Sequence, residues 1–447
     1  MILKMIPGMR EGWSALLHMN EREIGLEILS AVLERGEYSH LLLQAVLDKY
    51  AYLDKRQRAF ISRLTVGVIE RKISLDYILN HYSRTPVKKM KPMIRNSLRM
   101  GLYQILYMDA VPDSAACNES VKLIARRYRP LRGFVNGLLR NIARHRQEAL
   151  SLLKDASPGV RYSMPDWLMK EWSKRFGREG CESICKSFLA PRKTCIRVNL
   201  ARISVEDLIE KLEGEGVSVL RSEDLDYALY ISGYDSIKKL LSYREGLFYV
   251  QDISSMLVAE RAPVRGGSRV LDVCAAPGGK SLHIAEKLAC MDRSEGRVLA
   301  RDLTEDKVAR IRENIARSQM DNISAQVFDA RVDDAASHEA YDIVLADLPC
   351  SGLGVIGRKP EIRYRLQPKD LSALAGLQTQ ILSVVKNYVK AQGSLVYSTC
   401  TISGQENEEN TERFLAENPD FHLISQEQIL PDASGRDGFF ISVFSRG

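Results

Sequence analysis

The sequence predicts a multidomain chain in three parts: an all-α first third, a small α+β module, and a C-terminal α/β unit on an open parallel sheet. Three observations carry this. Up to about residue 150 the apolar residues recur at helical spacing and strand alternation is hard to find. A compact pattern of strand, helix and two further strands follows. From about Glu245 onward, short apolar strands alternate with helical segments. The expected boundaries are 1–155, 156–245 and 246–447, and at roughly 150 residues per domain 447 residues suffice for all three.

In the first part Phe60, Leu64 and Val68, and again Ile94, Leu98, Leu102 and Ile105, mark apolar helix faces, with Pro86, Pro92, Pro112 and Pro130 between them. The expectation is a bundle of short helices, ended by a linker at Ser157-Pro158-Gly159. In the middle part Cys195 to Leu200, Val217 to Leu220 and Ala228 to Ile231 read as strands, and Val205 to Leu212 as a helix opened by Ser204. No aromatic-rich motif for stacking bases is present there. In the last part the strands are Arg269 to Val273, Val298 to Ala300, Ala325 to Phe328, Ile343 to Ala346, Ser394 to Tyr397 and Phe440 to Phe444. Helices are expected over Glu305 to Arg317 and Leu371 to Val389. Ligands of such sheets bind beyond the carboxyl ends of the strands.

Composition narrows the function classes. Hydrophobic residues at 45% and charged residues at 27% exclude a globally disordered chain. No run approaches the ~18 uncharged apolar residues that span a bilayer, and Lys4, Arg10 and Glu11 interrupt the first apolar stretch, so neither a membrane helix nor a signal peptide is expected. Eight cysteines are too sparse for a disulfide scaffold and form no paired CxxC motifs, so a reducing cytoplasm and no metal are expected.

The net charge of +7 is unevenly spread. Residues 1–150 hold 25 basic and 14 acidic side chains, whereas the remainder holds 39 and 43. Lys122 to Arg146 contains eight basic residues and no acidic one, a stretch that attracts a polyanion such as RNA. Arg126, Arg127, Arg140 and Arg144 are the candidate RNA contacts, although a solvated helix face has the same composition.

The chemistry gathers at the strand ends. After the first α/β strand comes Asp272-Val273-Cys274-Ala275-Ala276-Pro277-Gly278-Gly279-Lys280-Ser281, whose small residues let backbone N–H groups approach a ligand closely. A phosphate-binding P-loop requires glycine where Cys274 stands, and the dinucleotide GxGxxG is missing. S-adenosylmethionine carries no phosphate and suits a tight turn ringed by carboxylates. Asp302 is placed to accept from ribose hydroxyls, and Asp329 and Asp347 end the next two strands. Two cysteines, Cys350 in Asp347-Leu348-Pro349-Cys350-Ser351-Gly352 and Cys400 in Tyr397-Ser398-Thr399-Cys400-Thr401, lie past adjacent strand ends. A capping box, Ser403-x-x-Glu406, is expected to start a helix directly after Cys400. Arg358 to Arg365 reads as an exposed loop or a grip on phosphates.

A thiolate suits one demanding reaction. C5 of cytosine is too weak a nucleophile to take a methyl group unaided, and a sulfur adding to C6 makes it enamine-like. An acid beside the ring, such as Asp347, would stabilise protonation at N3. The spacing leaves open which cysteine attacks.

The motifs DVCAAPGGKS, DLPCSGLG and YSTCTI, in that order, resemble the RNA cytosine-5 methyltransferases of the NOL/NOP/Sun family. The resemblance implies a Rossmann-like methyltransferase domain with Cys400 as nucleophile and Cys350 promoting product release. It places Cys274, Ala275, Ala276, Pro277, Gly278, Gly279, Lys280, Asp302, Asp329 and Asp347 around S-adenosyl-L-methionine, with Asp347 also facing the base. Gly101 to Tyr107, Asn118-Glu119 and Phe134 to Arg140 resemble a NusB-like RNA-binding domain. With Arg197-Val198-Asn199 and Gln251 to Ser255, the order resembles the Sun/Fmu (RsmB) type nearly end to end. That type implies 16S rRNA, or a small ribosomal subunit precursor, as substrate and a monomeric enzyme. The competing classes are a non-catalytic RNA-binding or antitermination factor, a cytosine methyltransferase acting on another RNA, and a P-loop nucleotide hydrolase.

Overall fold

The computed structural model describes residues 20–50, 52–291 and 295–447. Lys4, Arg10 and Glu11, on which the reading of the first stretch rests, lie outside the described residues. The chain forms two compact units. One runs to Leu189 and takes back Ile356–Arg365; the other comprises Ala190–Val355 and Leu366–Gly447.

The first unit is helical throughout its described residues. Asn20 opens the helix Glu21–Arg35 by accepting from the backbone of Arg22 and Glu23, and Glu23 returns the bond. The helix Pro92–Tyr107 buries Ile94, Leu98, Leu102 and Ile105, as their spacing predicts. Gly101 permits a close crossing, since a Cβ there would lie 2.5 Å from Ser120 Oγ and 2.6 Å from Leu139 Cδ1.

At Ser157-Pro158-Gly159, Pro158 starts the one-turn helix Pro158–Arg161, and Gly159 packs where a Cβ would stand 2.9 Å from Met164 O. Helical structure follows over Asp166–Ser187, broken at Gly177 with φ of +73°, and buries Leu168, Trp172 and Ile184. Arg358 to Arg365 is not an exposed grip. Arg363 is fully buried and donates to the carbonyls of Glu70 at 3.1 Å and Ser163 at 3.3 Å, while Tyr364 donates to Ile69 O at 2.8 Å. Buried Glu361 accepts from Ser39 N and Oγ. A guanidinium on the carbonyl end of the helix Lys55–Glu70 replaces solvent for those acceptors, so this basic segment serves packing.

The second unit holds two sheets. The smaller contains β1 (Thr194–Val198), β2 (Ser218–Arg221), β3 (Ala228–Ser232) and β4 (Phe248–Val250), in the antiparallel order β2-β3-β1-β4. The helix Val205–Gly214 buries Leu208 and Leu212, and Ser204 caps it by accepting from Asp207 N. The strand β4 lies beyond the boundary expected at 245. Its three residues are too short to show alternation, and its partner β1 is some 50 residues earlier.

The larger sheet contains β5 (Arg269–Asp272), β6 (Arg297–Asp302), β7 (Ile323–Val327), β8 (Tyr341–Asp347), β9 (Val389–Thr399), β10 (Phe421–Ile429) and β11 (Phe439–Arg446). Its order is β10-β11-β9-β8-β5-β6-β7. The strands β5 to β9 are parallel as expected, but β11 runs antiparallel to β9 and β10, which makes the sheet mixed. The strand β10 escapes a sequence reading because it is an edge strand with Leu423 and Ile424 exposed among polar residues. Chain order reverses between β5 and its neighbour β8, and a crevice opens at such a switch point.

Candidate active site

At the end of β5, Asp272 is buried and accepts from Ser281 Oγ at 2.6 Å; burial pushes its carboxyl up to about 7 against that bond. The following turn leads into the helix Gly279–Cys290 through Gly278, whose φ of +103° belongs to glycine. Asp302, ending β6, closes the turn: its Oδ2 accepts from Ala276 N at 2.9 Å and its Oδ1 from Lys307 Nζ at 2.9 Å. Asp347, ending β8, accepts from Lys280 Nζ and from Ser398 Oγ, both at 2.8 Å, and keeps a quarter of its side chain exposed. Burial alone would lower the Lys280 ammonium, yet the Asp347 carboxylate, with Asp272 behind it, holds it above its ordinary value.

The parallel register sets Asp347 of β8 opposite Ser398 of β9. Cys350 and Cys400 follow those two residues by three and two positions, and their sulfurs meet at 3.3 Å. The hydrogen bond to Cys400 first, and burial second, hold the Cys350 thiol well above its ordinary value. The raised thiol and the 3.3 Å approach make Cys350 a hydrogen-bond partner of Cys400. Lys280 lies within electrostatic reach of Cys400. An ammonium beside a sulfur is the kind of neighbour that favours a thiolate.

The capping box expected after Cys400 does not form. The helix there begins at Glu408 behind Asn407, and Glu406 turns inward to accept from Ser351 N at 2.8 Å and from Ser351 Oγ. A buried backbone N–H beside Cys350 claims the carboxylate, which leaves nothing for a cap.

Family models match all three parts of the chain: the 16S rRNA methyltransferase RsmB/F over residues 262–445, the ferredoxin-like domain of RsmF/B-like methyltransferases over 164–238, and the NusB family over 19–144. The probable ribosomal RNA small subunit methyltransferase B of Bacillus subtilis (strain 168) is 37% identical over 441 residues, covering 94% of this chain and 97% of that protein. The chain belongs to the RsmB/F family. Its counterpart named ribosomal RNA small subunit methyltransferase B in Proteus mirabilis (strain HI4320) is 30% identical, covering 96% of this chain and 99% of that one. The crystal structure of PH0851 superposes with a TM-score of 0.79 at 25% identity, over 96% of this chain and all of that one. NSun6 from Pyrococcus horikoshii, at a TM-score of 0.56 and 23% identity, covers 63% of this chain and 98% of its own and shares the fold. The architecture is thus a NusB helical domain, a ferredoxin-like domain and a methyltransferase domain with a mixed sheet.

Other predicted residues have partners of their own. Asp329 lies two residues past β7 and is held by Arg331, Nε to Oδ1 at 2.9 Å and Nη2 to Oδ2 at 2.6 Å. Burial pushes the Cys274 thiol up, as suits a packing cysteine. In the helical unit Arg126, Arg127, Arg140 and Arg144 are all exposed. Arg140 lines an open groove of about 900 Å³ together with Asn118, Lys122, Arg129, Arg132 and Asn136. Arg129 and Arg132 belong to the basic run, and composition alone does not show which side of a helix borders a groove. Among the described residues no cluster of His, Cys, Asp and Glu has the makings of a metal site, and no helix is long and apolar enough to cross a membrane.

Proposed function

We propose that the chain transfers a methyl group from S-adenosyl-L-methionine to C5 of a cytosine in 16S rRNA, through a covalent bond between Cys400 and C6. The observation that carries this reading is the 3.3 Å approach of the two sulfurs beside Asp347. The raised Cys350 thiol supports Cys400 as the sulfur that attacks. Asp347 stands at the same strand end, and in this reading its carboxylate accepts a hydrogen bond from N3–H, which takes its proton from solvent as C6 is attacked. Once C5 carries the methyl group, its proton passes to solvent water, the C5–H electron pair forms the C5=C6 bond and the C6–sulfur bond breaks, with the Cys350 S–H stabilising the departing thiolate.

The donor, when bound, supplies an electrophilic methyl group. The residues present fit it: the Cys274 to Lys280 turn is tight, Gly278 needs its left-handed backbone, and the carboxylates Asp302 and Asp347, with Asp329 past β7, suit a ligand with hydroxyls and cationic groups rather than phosphates. The lysine that a P-loop would give to a phosphate is here paired with Asp347 at 2.8 Å, which counts against the nucleotide hydrolase. A non-catalytic RNA-binding factor has no use for two sulfurs aimed at each other. Purified protein is expected to bind labelled S-adenosylmethionine and not ATP, and to yield 5-methylcytosine in unmodified 16S rRNA on nucleoside analysis. ATP binding, or a different methylated nucleoside, overturns the reading.

The relatives' names support small-subunit rRNA as the substrate, and a monomer in the cytoplasm is part of this proposal. The helical unit would hold RNA through its basic face. Replacing Arg126, Arg127, Arg140 and Arg144 with alanine is expected to weaken rRNA binding and flatten its salt dependence. For single strands the loss in slope is roughly 0.7 per phosphate contact removed. Titration at several salt concentrations measures it, and an unchanged slope makes the run a solvated helix face.

A further inference from the structure

Cys350 and Cys400 sit on two loops joined by the backbone bonds Leu348 N to Ser398 O at 3.0 Å and Gly354 N to Cys400 O at 3.1 Å, and side chains add further ties that hold the sulfurs at 3.3 Å. The residues that do so lie beneath the sulfurs. Glu406, fully buried, takes Ser351 N at 2.8 Å and Ser351 Oγ, immediately after Cys350. Ser351 Oγ in turn meets Thr401 Oγ1 at 2.7 Å, immediately after Cys400. Asn407, also fully buried, straddles Cys400: its Oδ1 accepts from Thr399 Oγ1 at 2.7 Å and its Nδ2 donates to Thr401 O at 3.1 Å. Gln378 Nε2 joins the two sides, donating to Pro349 O at 2.9 Å and to the Glu406 carboxylate at 3.1 Å. Every residue flanking either cysteine is thereby tied to this buried set.

We infer that Glu406 and Asn407 are positioning residues that lock the two cysteine loops together and set the distance between the sulfurs. A capping glutamate would have needed only the N-terminus of its own helix. This one is spent on the neighbouring loop, and burying a carboxylate is costly unless its acceptor sites are filled. Burial raises the Glu406 carboxyl above its ordinary range even with Ser351 and Gln378 donating to it. Glu406 and Asn407 are buried and bond to the residues flanking the two sulfurs, so in this inference they act through the sulfurs. The inference rests on the reading of Cys400 and Cys350 as a working pair.

The test measures loop geometry and turnover separately on the full chain. Dibromobimane becomes fluorescent when it bridges two nearby thiols, and peptide mass identifies the bridged pair, with Cys350→Ala as background. Wild type is expected to bridge Cys350 to Cys400. Glu406→Ala is expected to bridge them about tenfold more slowly and, since a misplacement near 1 Å can cost ~100-fold, to lose about that factor in kcat. KM for 16S rRNA and binding of labelled S-adenosylmethionine should stay near wild type. Glu406→Gln, which can still accept from Ser351 N and bond the hydroxyl, should restore both bridging and kcat. Wild-type bridging and kcat in Glu406→Ala overturn the inference. If that variant does not fold, Ser351→Ala decides, since it removes one hydroxyl: wild-type behaviour there overturns the inference, and slowed bridging with unchanged KM supports it. A wild-type protein that makes no 5-methylcytosine overturns the functional reading instead, while the bridging rates still report on the loops.

Discussion

Cys400→Ala is expected to abolish methyl transfer, with a fall in rate on the order of 10⁴-fold, while binding of labelled S-adenosylmethionine stays near wild type. The size follows from the chemistry of the base. Without a sulfur at C6 the C5 carbon lacks the electron density to attack a sulfonium methyl, so no slower version of the same route remains. Donor binding survives because the Cys274 to Lys280 turn is closed by Asp302 and by the Lys280–Asp347 pair, not by Cys400. Cys350 is a poor substitute. It belongs to a different loop, held by Glu406 through Ser351, and its sulfur approaches a base from another position. Initial rates with labelled donor and unmodified 16S rRNA measure the loss. Methylation at the wild-type rate would mean that another group attacks C6, with Cys350 the first to examine.

What the sequence makes legible is what depends on neighbouring residues. Helical spacing in Ile94, Leu98, Leu102 and Ile105, and the run of strands ending in Asp272, Asp302 and Asp347, need no distant partner to be read. The cysteine pair is legible for a related reason. Once adjacent parallel strands are recognised, residues just past their ends must share a crevice. What stays hidden was decided by partners far along the chain. Glu406 reads as a helix cap, and only the packed loop shows that Ser351 N, 55 residues earlier, has the stronger need. Arg363 reads as surface until the carbonyls of Glu70 and Ser163 surround it. The strand β4 has three residues and exists because β1 offers an open edge. In each case tertiary context overrides a local preference worth a kilocalorie or so, about the strength of one cap.

Cys350→Ala is expected to stop turnover at a later step. Attack by Cys400 and methylation of C5 need no second sulfur, so the variant should complete one round. Release is different, because Cys400 must leave as a thiolate, and in the wild type the Cys350 sulfur, its thiol held above its ordinary value, stands 3.3 Å from that sulfur. Removing the donor takes away the hydrogen bond that stabilises the leaving group, and loss of such assistance slows a step by about 10²-fold or more. The expected result is a protein–RNA species that survives denaturant, carries label from the methyl donor, and accumulates to one equivalent while steady-state turnover falls. The double variant Cys350→Ala with Cys400→Ala should show no such species, because the bond that persists is the one Cys400 makes. If Cys350→Ala turns over normally and leaves no denaturant-resistant band, the second sulfur does not assist release, and its place beside Cys400 serves only to keep that sulfur charged before attack.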